Sequence, residues 1–281
     1  MEFLKRRSSK RFMLMAVVVV VFVLAGFYLP TIWPLDPLET NFSNALASPD
    51  AKHLFGTDHL GRDLLTRIVY GARTTLSMTF LLLAGIFTVG LTVGTVAGYF
   101  GGKIDSFLMR VTDVFLAFPG IVLAIAFVGI LGAGLGNTII ALIISGWAKY
   151  ARISRSLVLG VKEKEFIKMA YMGGAGSLAV MFRYILPNIL SPLLVIAMMD
   201  IGVMMLEISS LSFLGLGAQP PMPEWVAILS EGRNYMQTAP WMMIFPGLAI
   251  FITVVLFNIL GDRFRDALDI HGEEKKEEKN G

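Results

Sequence analysis

Residues 12–29 read FMLMAVVVVVFVLAGFYL, an uncharged and almost wholly apolar run that follows the basic segment 5–11, KRRSSKR. A helix needs about 20 mostly apolar residues to cross the hydrocarbon core of a membrane. A signal peptide also opens with a basic segment, but its apolar region usually spans about 7–15 residues and ends at a small-residue cleavage site. Tyr28-Leu29-Pro30 is no such site. We therefore expect a retained transmembrane helix that also directs membrane insertion.

The same length rule predicts five more spans along the chain. The six predicted spans cover residues 12–32, 76–99, 111–131, 137–157, 188–207 and 241–260. The composition agrees, because 55% of the 281 residues are apolar and only 16% are charged, whereas soluble domains carry about 25% charged residues. The predicted fold class is an all-α polytopic membrane protein with six transmembrane helices.

The basic residues predict the orientation of these spans. Most of the 24 Lys and Arg residues lie in segments 1–11, 100–110, 148–187 and 261–281. The remaining five are Lys52, Arg62, Arg67, Arg73 and Arg233. Cytoplasmic loops of membrane proteins carry the excess of Lys and Arg, so both termini are predicted to be cytoplasmic. The net charge of +3 is too small to indicate nucleic acid binding.

The inner loop 162–187 reads KEKEFIKMAYMGGAGSLAVMFRYILP. Its composition predicts a short helix over 165–172, ended by a glycine cap in 173–176. Ser177 is expected to cap a second helix, and Pro187 suits the first turn of predicted span 5. From the residues alone, such a helix–turn–helix could dock into a groove on another protein or lie in the lipid headgroup layer; the two readings are equally supported.

This loop resembles the coupling loop of ABC-importer permeases, which seats in a cleft of a cytoplasmic ATPase. Gly174 and Leu186-Pro187 match the family pattern at the expected interval. The family's Glu-Ala-Ala triplet aligns with Lys168-Met169-Ala170, where only Ala170 agrees, so the ion pair of that acid is not carried over. The resemblance implies that the following residues couple the chain to the ATPase: Glu165, Lys168, Ala170, Gly174, Ala175, Gly176, Ser177 and Pro187.

Four further stretches extend the resemblance over nearly the whole chain. They are 55–63 (FGTDHLGRD) with 70–73 (YGAR), 98–119 with its ending LAFP, 211–223 with LSFLGLG, and 258–266 with Asn258 and Gly261-Asp262. In this order they are similar to the C-type half of the peptide and nickel importer permeases. The resemblance implies a type-I ABC importer fold and localisation in the cytoplasmic membrane as a multi-pass protein.

The resemblance also implies partners and cargo. The partners are a homologous second permease, two cytoplasmic ATP-binding subunits, an extracytoplasmic substrate-binding protein and membrane lipid. The expected cargo is dipeptides or oligopeptides; nickel, an oligosaccharide, or action as a stand-alone secondary transporter are the alternatives. Gly101-Gly102-Lys103 is followed by Ile104 rather than Ser or Thr, so it is no P-loop. The chain is therefore expected to be no enzyme and to bind no cofactor, with ATP and Mg²⁺ used by the ATPases.

Two acids and one proline are candidates for the translocation path. Asp200 lies in predicted span 5, and Glu207 lies on nearly the same helical face seven residues later. Acids at membrane depth face a bundle interior or water, where they could contact a cationic cargo group. A structural hydrogen bond or a pair with a partner subunit is the favoured alternative. Asp200 stands nearly alone among ionisable groups of the predicted spans. Pro119 is expected to kink predicted span 3.

Gly90, Gly94 and Gly98 are spaced by four in predicted span 2. Such a stripe of small residues allows close helix approach, so we predict helix packing, with a substrate path along the stripe as the alternative.

The outer loop holds His53, Asp58, His59 and Asp63, which form a weak pattern for a metal site. We predict no metal, because Asp58 and Asp63 suit turn capping, with Arg62 as a local partner.

The predicted domain organisation has three parts. Residues 1–72 form the first helix and the extracytoplasmic loop, and residues 73–262 form the transmembrane core with the coupling loop. Residues 263–281 form a charged, solvated cytoplasmic tail.

Overall fold

The computed structural model describes residues 2–219 and 221–277, with side chains for 10–219 and 221–267. The described part is helical and contains no strand. Its ten α-helices are α1 (Glu2–Ile32), α2 (Leu64–Phe100), α3 (Gly102–Leu116), α4 (Gly120–Leu131), α5 (Leu135–Lys162), α6 (Glu165–Met172), α7 (Ser177–Val180), α8 (Leu186–Phe213), α9 (Trp225–Gly232) and α10 (Trp241–Glu277). A π-helical turn, Met181–Ile185, joins α7 to α8.

Four helical stretches of the described residues are long and apolar enough to cross a membrane: Lys10–Ile32, Leu64–Phe100, Ser177–Phe213 and Trp241–Ala267. A fifth span would come from α3 and α4 together, which meet at an angle of 88°. The 28 residues of α5 are long enough to cross, but its basic residues make it less apolar than these four. The count of six spans therefore stays a prediction.

The helices have two common ends. Phe12 of α1 stacks on Phe264 of α10 at 5.2 Å between ring centroids, so these helices run antiparallel and the early part of α1 lies beside the late part of α10. The end of α2 meets the start of α7, because the Tyr99 hydroxyl donates to the Ser177 carbonyl. We call the end of the bundle where Tyr99 contacts Ser177 the α6 end. Loop 33–63 and α9 lie at the opposite end, the α9 end.

The glycine stripe of α2 lies directly against α5. A Cβ atom placed on Gly90 would come within 2.4 Å of the Tyr150 Cβ, and one on Gly94 would clash with the Ala151 carbonyl oxygen. A Cβ on Gly98 would lie 2.9 Å from the Val158 Cβ. Because real Cβ atoms do not approach backbone so closely, the two backbones touch only where α2 has no side chain.

Several predicted boundaries differ from the structure. Helix α2 begins at Leu64 rather than 76, because the carboxylate of Asp63 accepts from the Thr66 amide and caps it. The boundary between residues 72 and 73 therefore falls inside a helix. The helix that contains predicted span 5 begins at Ser177 rather than at residue 188, since α7, the π turn and α8 form one continuous helix.

Two further expectations about helix ends need correction. Pro119 does more than kink a helix: α3 ends at Leu116 and Pro119 becomes the N-cap of α4, since proline cannot continue the ladder of helical hydrogen bonds. The charged tail continues α10 as far as Glu277, because Glu and Lys are strong helix formers. Residues 278–281 of that tail lie outside the described residues.

We expect Gly94→Ala to lower the free energy of unfolding by about 1–3 kcal/mol, the range for overpacking a tight contact. Thermal unfolding of the purified protein in detergent measures the change. Gly160→Ala is the matched control, because Gly160 of α5 has no atom within 4 Å of the added methyl. Equal melting temperatures for the two variants would contradict the close contact.

Candidate functional site

The turn after α6 is a Schellman motif centred on Gly174. The amide of Ala175 donates to the Ala170 carbonyl at 3.0 Å, and the amide of Gly174 donates to the Tyr171 carbonyl at 3.0 Å. Gly174 has φ +83°, a left-handed conformation that glycine adopts without strain. The helix over Glu165–Met172 and its glycine end match the sequence prediction. Ser177 does not cap α7, because the N-cap is Gly176 and no side chain caps it.

Tyr99 and Lys162 fix α6 and α7 to the helical bundle. The Tyr99 hydroxyl lies 2.7 Å from the Tyr171 hydroxyl and donates to the Ser177 carbonyl at 2.7 Å. Lys162 donates to the Tyr99 carbonyl at 2.7 Å. The hydrogen bond with Tyr99, aided by burial, raises the pKa of Tyr171 to about 12, so the Tyr171 hydroxyl stays neutral at physiological pH. Ile167 of α6 is 1% exposed and packs into the buried hydrophobic cluster that also contains Tyr99.

The outer side of α6 and α7 is exposed and apolar. We define the methionine face as Met169, Met172, Leu178 and Phe182, whose exposed fractions are 62%, 87%, 62% and 60%. Glu165 and Lys168 are exposed at its border, and Ala170 and Ala175 are half-buried. Flexible methionine side chains adapt to partner surfaces, and clustered exposed apolar residues mark interaction sites. Pro187 lies in the first turn of α8.

Asp200 is paired, which corrects the expectation that it stands nearly alone. Its Oδ2 atom accepts from the Lys149 Nζ at 2.6 Å and from the Tyr150 hydroxyl at 3.0 Å. Both donors belong to α5, so the acid joins α5 to α8. Glu207 lies two turns further along α8 and is half-buried. The Lys149 side chain is 52% exposed, which leaves its remaining hydrogens accessible.

Ion pairs tie α3 to α5 beside these groups. Both Asp105 oxygens accept from the Arg155 guanidinium, and Asp113 accepts from Arg152. No local sequence pattern marks these pairs, since the partners are 50 and 39 residues apart. Pro119 is exposed at the 88° bend between α3 and α4, and both helices pack against α5.

A buried ionic cluster organises the α9 end. The Oδ2 atom of Asp58 accepts from the Arg62 Nε and from the Arg67 Nη1, each at 2.6 Å. Both guanidiniums also contact Glu231 of α9, at 3.2 Å and 2.7 Å. Asp58 and Arg67 are completely buried. Asp58 and Glu231 neutralise the two buried arginines and so hold loop 33–63, α2 and α9 together. Removing one partner would leave a buried charge without its counter-ion, which is costly.

The predicted capping roles in the outer loop match the structure. Asp58 Oδ1 accepts from the amides of Leu60 and Arg62, and Asp63 also contacts His53 Nδ1 at 3.0 Å. Asp58, His59 and Glu231 bring potential metal-ligating atoms within 4.8 Å of one another. Two of the three are already paired with arginine, whose positive charge opposes a bound cation.

A second buried acid shapes the start of α9. Glu224 caps α9 by accepting from the amides of Val226 and Ala227, and its Oε1 accepts from the Thr75 hydroxyl at 3.0 Å. Burial raises the pKa of Glu224, and these three hydrogen bonds oppose the rise. The sequence signal was present, as an acid directly after Pro223 and before an apolar run, but its partner on α2 is 149 residues away.

Residues 90–270 match the family of binding-protein-dependent transport system inner membrane components. The match covers most of the chain, from the glycine stripe through α10. The chain belongs to this family. It is the permease subunit of an ABC importer, a multi-pass protein of the cytoplasmic membrane. In such importers ATP is hydrolysed by separate ATPase subunits, and the permease works with a second permease and a substrate-binding protein.

Individual relatives agree with this assignment. The chain is 44% identical over 267 residues to the dipeptide transport system permease protein DppC of Alkalihalophilus pseudofirmus, covering 95% of this chain and 88% of that one. It is 42% identical over 265 residues to the nickel transport system permease protein NikC of Escherichia coli, covering 94% and 96%. An inward-facing structure of the MetNI methionine ABC transporter has the same fold, with TM-score 0.60, 21% identity and coverage of 72% of this chain and 96% of that one.

We expect Arg67→Met to destabilise the permease by about 3–5 kcal/mol, because it leaves the buried Asp58 carboxylate with one arginine instead of two. Thermal unfolding in detergent measures the loss. Lys52→Met replaces an exposed residue of loop 33–63, and its free energy of unfolding should stay within about 0.5 kcal/mol of the wild type. If both variants melted alike, the ionic cluster would not hold the α9 end together.

Proposed function

We propose that this permease forms half of a translocation pathway for short peptides. It pairs with a homologous second permease and is driven by two cytoplasmic ATPase subunits, while an extracytoplasmic binding protein delivers the cargo. The observation that supports coupling to the ATPase is the exposed methionine face on α6, which is held to the bundle by hydrogen bonds. The chain supplies no ATP chemistry of its own in this proposal.

The methionine face fits a cleft on another protein better than the lipid headgroup layer. A headgroup-bound helix places its apolar face in the membrane, with Lys and Arg along the border. Here Ile167 already packs against the protein, and the exposed apolar side chains project from the other side of α6 and α7. Lipid would have to cover a face that points away from the bundle, so a partner groove is the better match.

Movement of α6 has a direct path into the bundle. Tyr99 links the end of α2 to both α6 and α7, and α7 continues without a break into α8. ATPase closure against the methionine face would therefore displace α2 and α8 together, and α5 with them across the glycine stripe. Such rigid-body motion of packed helices is a recognised form of switching and suits alternating access.

The charges of the α5–α8 surface favour peptides over nickel. A zwitterionic peptide carries an ammonium and a carboxylate, and this surface offers the exposed Lys149 ammonium and the Glu207 carboxylate. A free divalent cation would meet Lys149 beside Asp200, and that positive charge repels it. The 44% identity to a dipeptide permease and the 42% identity to a nickel permease do not by themselves separate the two cargoes.

We expect Met172→Glu to abolish ATP-driven uptake, because the variant places a charge on the most exposed residue of the methionine face. Uptake by the complete importer in proteoliposomes is measured together with co-purification of the ATPase. Met172→Leu keeps the apolar surface and should retain uptake, as should Met236→Glu, a 57% exposed position at the α9 end.

Two results would contradict this role for α6. One is full uptake by Met172→Glu with the ATPase still bound. The other is normal uptake by the permease chain alone in liposomes, which would instead indicate a secondary transporter.

We expect Asp200→Asn to reduce uptake of all peptides to a similar extent, because Asp200 holds Lys149 and Tyr150 and so joins α5 to α8. Uptake rates for peptides of negative, neutral and positive side-chain charge measure this. Glu207→Gln is the companion variant, because Glu207 makes no hydrogen bond to another side chain among the described residues. A loss confined to cationic peptides in Asp200→Asn would show cargo contact instead.

A further inference from the structure

A groove between α1 and α2 opens at the α9 end as a cavity with charged and aromatic residues in its lining. Its volume is about 580 Å³, and Trp33, Asp36, Tyr70 and Arg73 are among the residues that line it. Trp33 is fixed, because its indole donates to the Thr66 hydroxyl at 3.1 Å. Tryptophan and tyrosine concentrate at the interface between hydrocarbon and headgroups, so this cavity has the composition of a headgroup-level site.

The cavity contains charges of both signs that do not neutralise each other. No acid among the described residues pairs with Arg73, which is exposed. The Oδ1 atom of Asp36 accepts from the Leu38 amide at 2.8 Å, which orients the carboxylate and leaves its other oxygen available. One guanidinium and one carboxylate facing one open space complement a ligand that carries an anion and a cation a short distance apart.

Next to the cavity lies an apolar slot of about 290 Å³. Its walls come from α1, α2, α10 and the Trp225 ring, with Phe22, Leu29, Ala72 and Ile252 among them. The two spaces adjoin each other on α1 and α2: Leu29 and Ala72 line the slot, and their chain neighbours Pro30 and Arg73 line the cavity. An apolar space of this kind excludes water and accepts hydrocarbon.

The depth of the slot fits one leaflet. Phe22 lies ten residues before Ile32, the last residue of α1, which is about 15 Å along a helix. Half of a hydrocarbon core of about 30 Å is the same distance. The slot also opens to the membrane, because only 6% of the apolar window of α1 is buried within the protein.

We propose that this groove binds one phospholipid with a phosphoethanolamine headgroup from the leaflet at the α9 end. Arg73 contacts the phosphate, Asp36 contacts the ammonium, and one acyl chain fills the slot between α1, α2 and α10. A purely anionic headgroup satisfies Arg73 but is repelled by Asp36. A helix of another subunit would fill the slot but would leave both charges of the cavity without partners. The bound lipid completes the packing of α1 against the bundle.

Native mass spectrometry of the complete importer, purified in mild detergent from membranes containing phosphatidylethanolamine and phosphatidylglycerol, tests the site. The wild type should retain phosphatidylethanolamine, and Arg73→Gln should reduce its occupancy about tenfold, the scale of a lost charge-assisted hydrogen bond. Ile252→Trp should reduce occupancy similarly by filling the slot. Neither change alters the exposed surface of α6, so ATPase binding serves as a check of folding.

Two control variants make the test specific. Leu248→Trp is on the same helix as Ile252 and equally exposed at 47%, but it lies outside the slot. Arg110→Gln removes an exposed arginine of α3. Both should retain the lipid.

Three outcomes would overturn the proposal. They are a wild-type importer without bound phosphatidylethanolamine, retention of phosphatidylglycerol in its place, and equal occupancy in Arg73→Gln and Arg110→Gln. Cross-linking from Ile252 to the second permease rather than to a photoreactive lipid would also overturn it, because that result would place a protein helix in the slot.

Discussion

The close approach of α2 and α5 across three glycines is the constraint on which the rest of the structure depends. Helix backbones that touch without intervening side chains leave no room for sliding or rotation. This contact sets where α5 presents Lys149 to α8 and Arg155 to α3. It also sets where α2 delivers Tyr99 to α6. The packed pair of α2 and α5 therefore determines the positions of both the candidate coupling residues and the candidate translocation residues.

Charged pairs connect elements that are distant in the chain at three levels of the fold. Asp58 and Glu231 join the outer loop, α2 and α9 through two arginines. Asp200 joins α8 to α5, and Asp105 joins α3 to α5. Pairs in a low-dielectric interior are strong when geometry is good, but a stranded partner is costly. Each pair therefore selects one arrangement of helices rather than simply adding stability.

The sequence predicted the features that local physics determines. The bounds of α6, its glycine end, the position of Pro187 and the capping by Asp58 and Asp63 all follow from residues within a few positions of one another. The fold class and the family followed from apolar runs and from motifs in order. Apolar length alone could not place helix ends, since Leu64–Tyr70 and Ser177–Ile185 carry polar residues yet stay helical.

What the sequence could not give were contacts across long separations. Glu231 is 164 residues from Arg67, and no local pattern marks it as a partner. Asp200 looked isolated because its counter-ion Lys149 lies 51 residues earlier in the chain, where no local pattern marks it as a partner. The sharp turn at Pro119 was read as a kink, since a proline indicates a break in the ladder but not its angle.

The unbroken helix from Ser177 to Phe213 has a mechanical consequence. Its 37 residues form a rod of about 55 Å, nearly twice the thickness of a hydrocarbon core of about 30 Å. A tilt of about 5° around the middle of a rod of that length moves each tip by about 2 Å, in opposite directions. A lever of this kind inverts a small inward push at one membrane surface into an outward swing at the other.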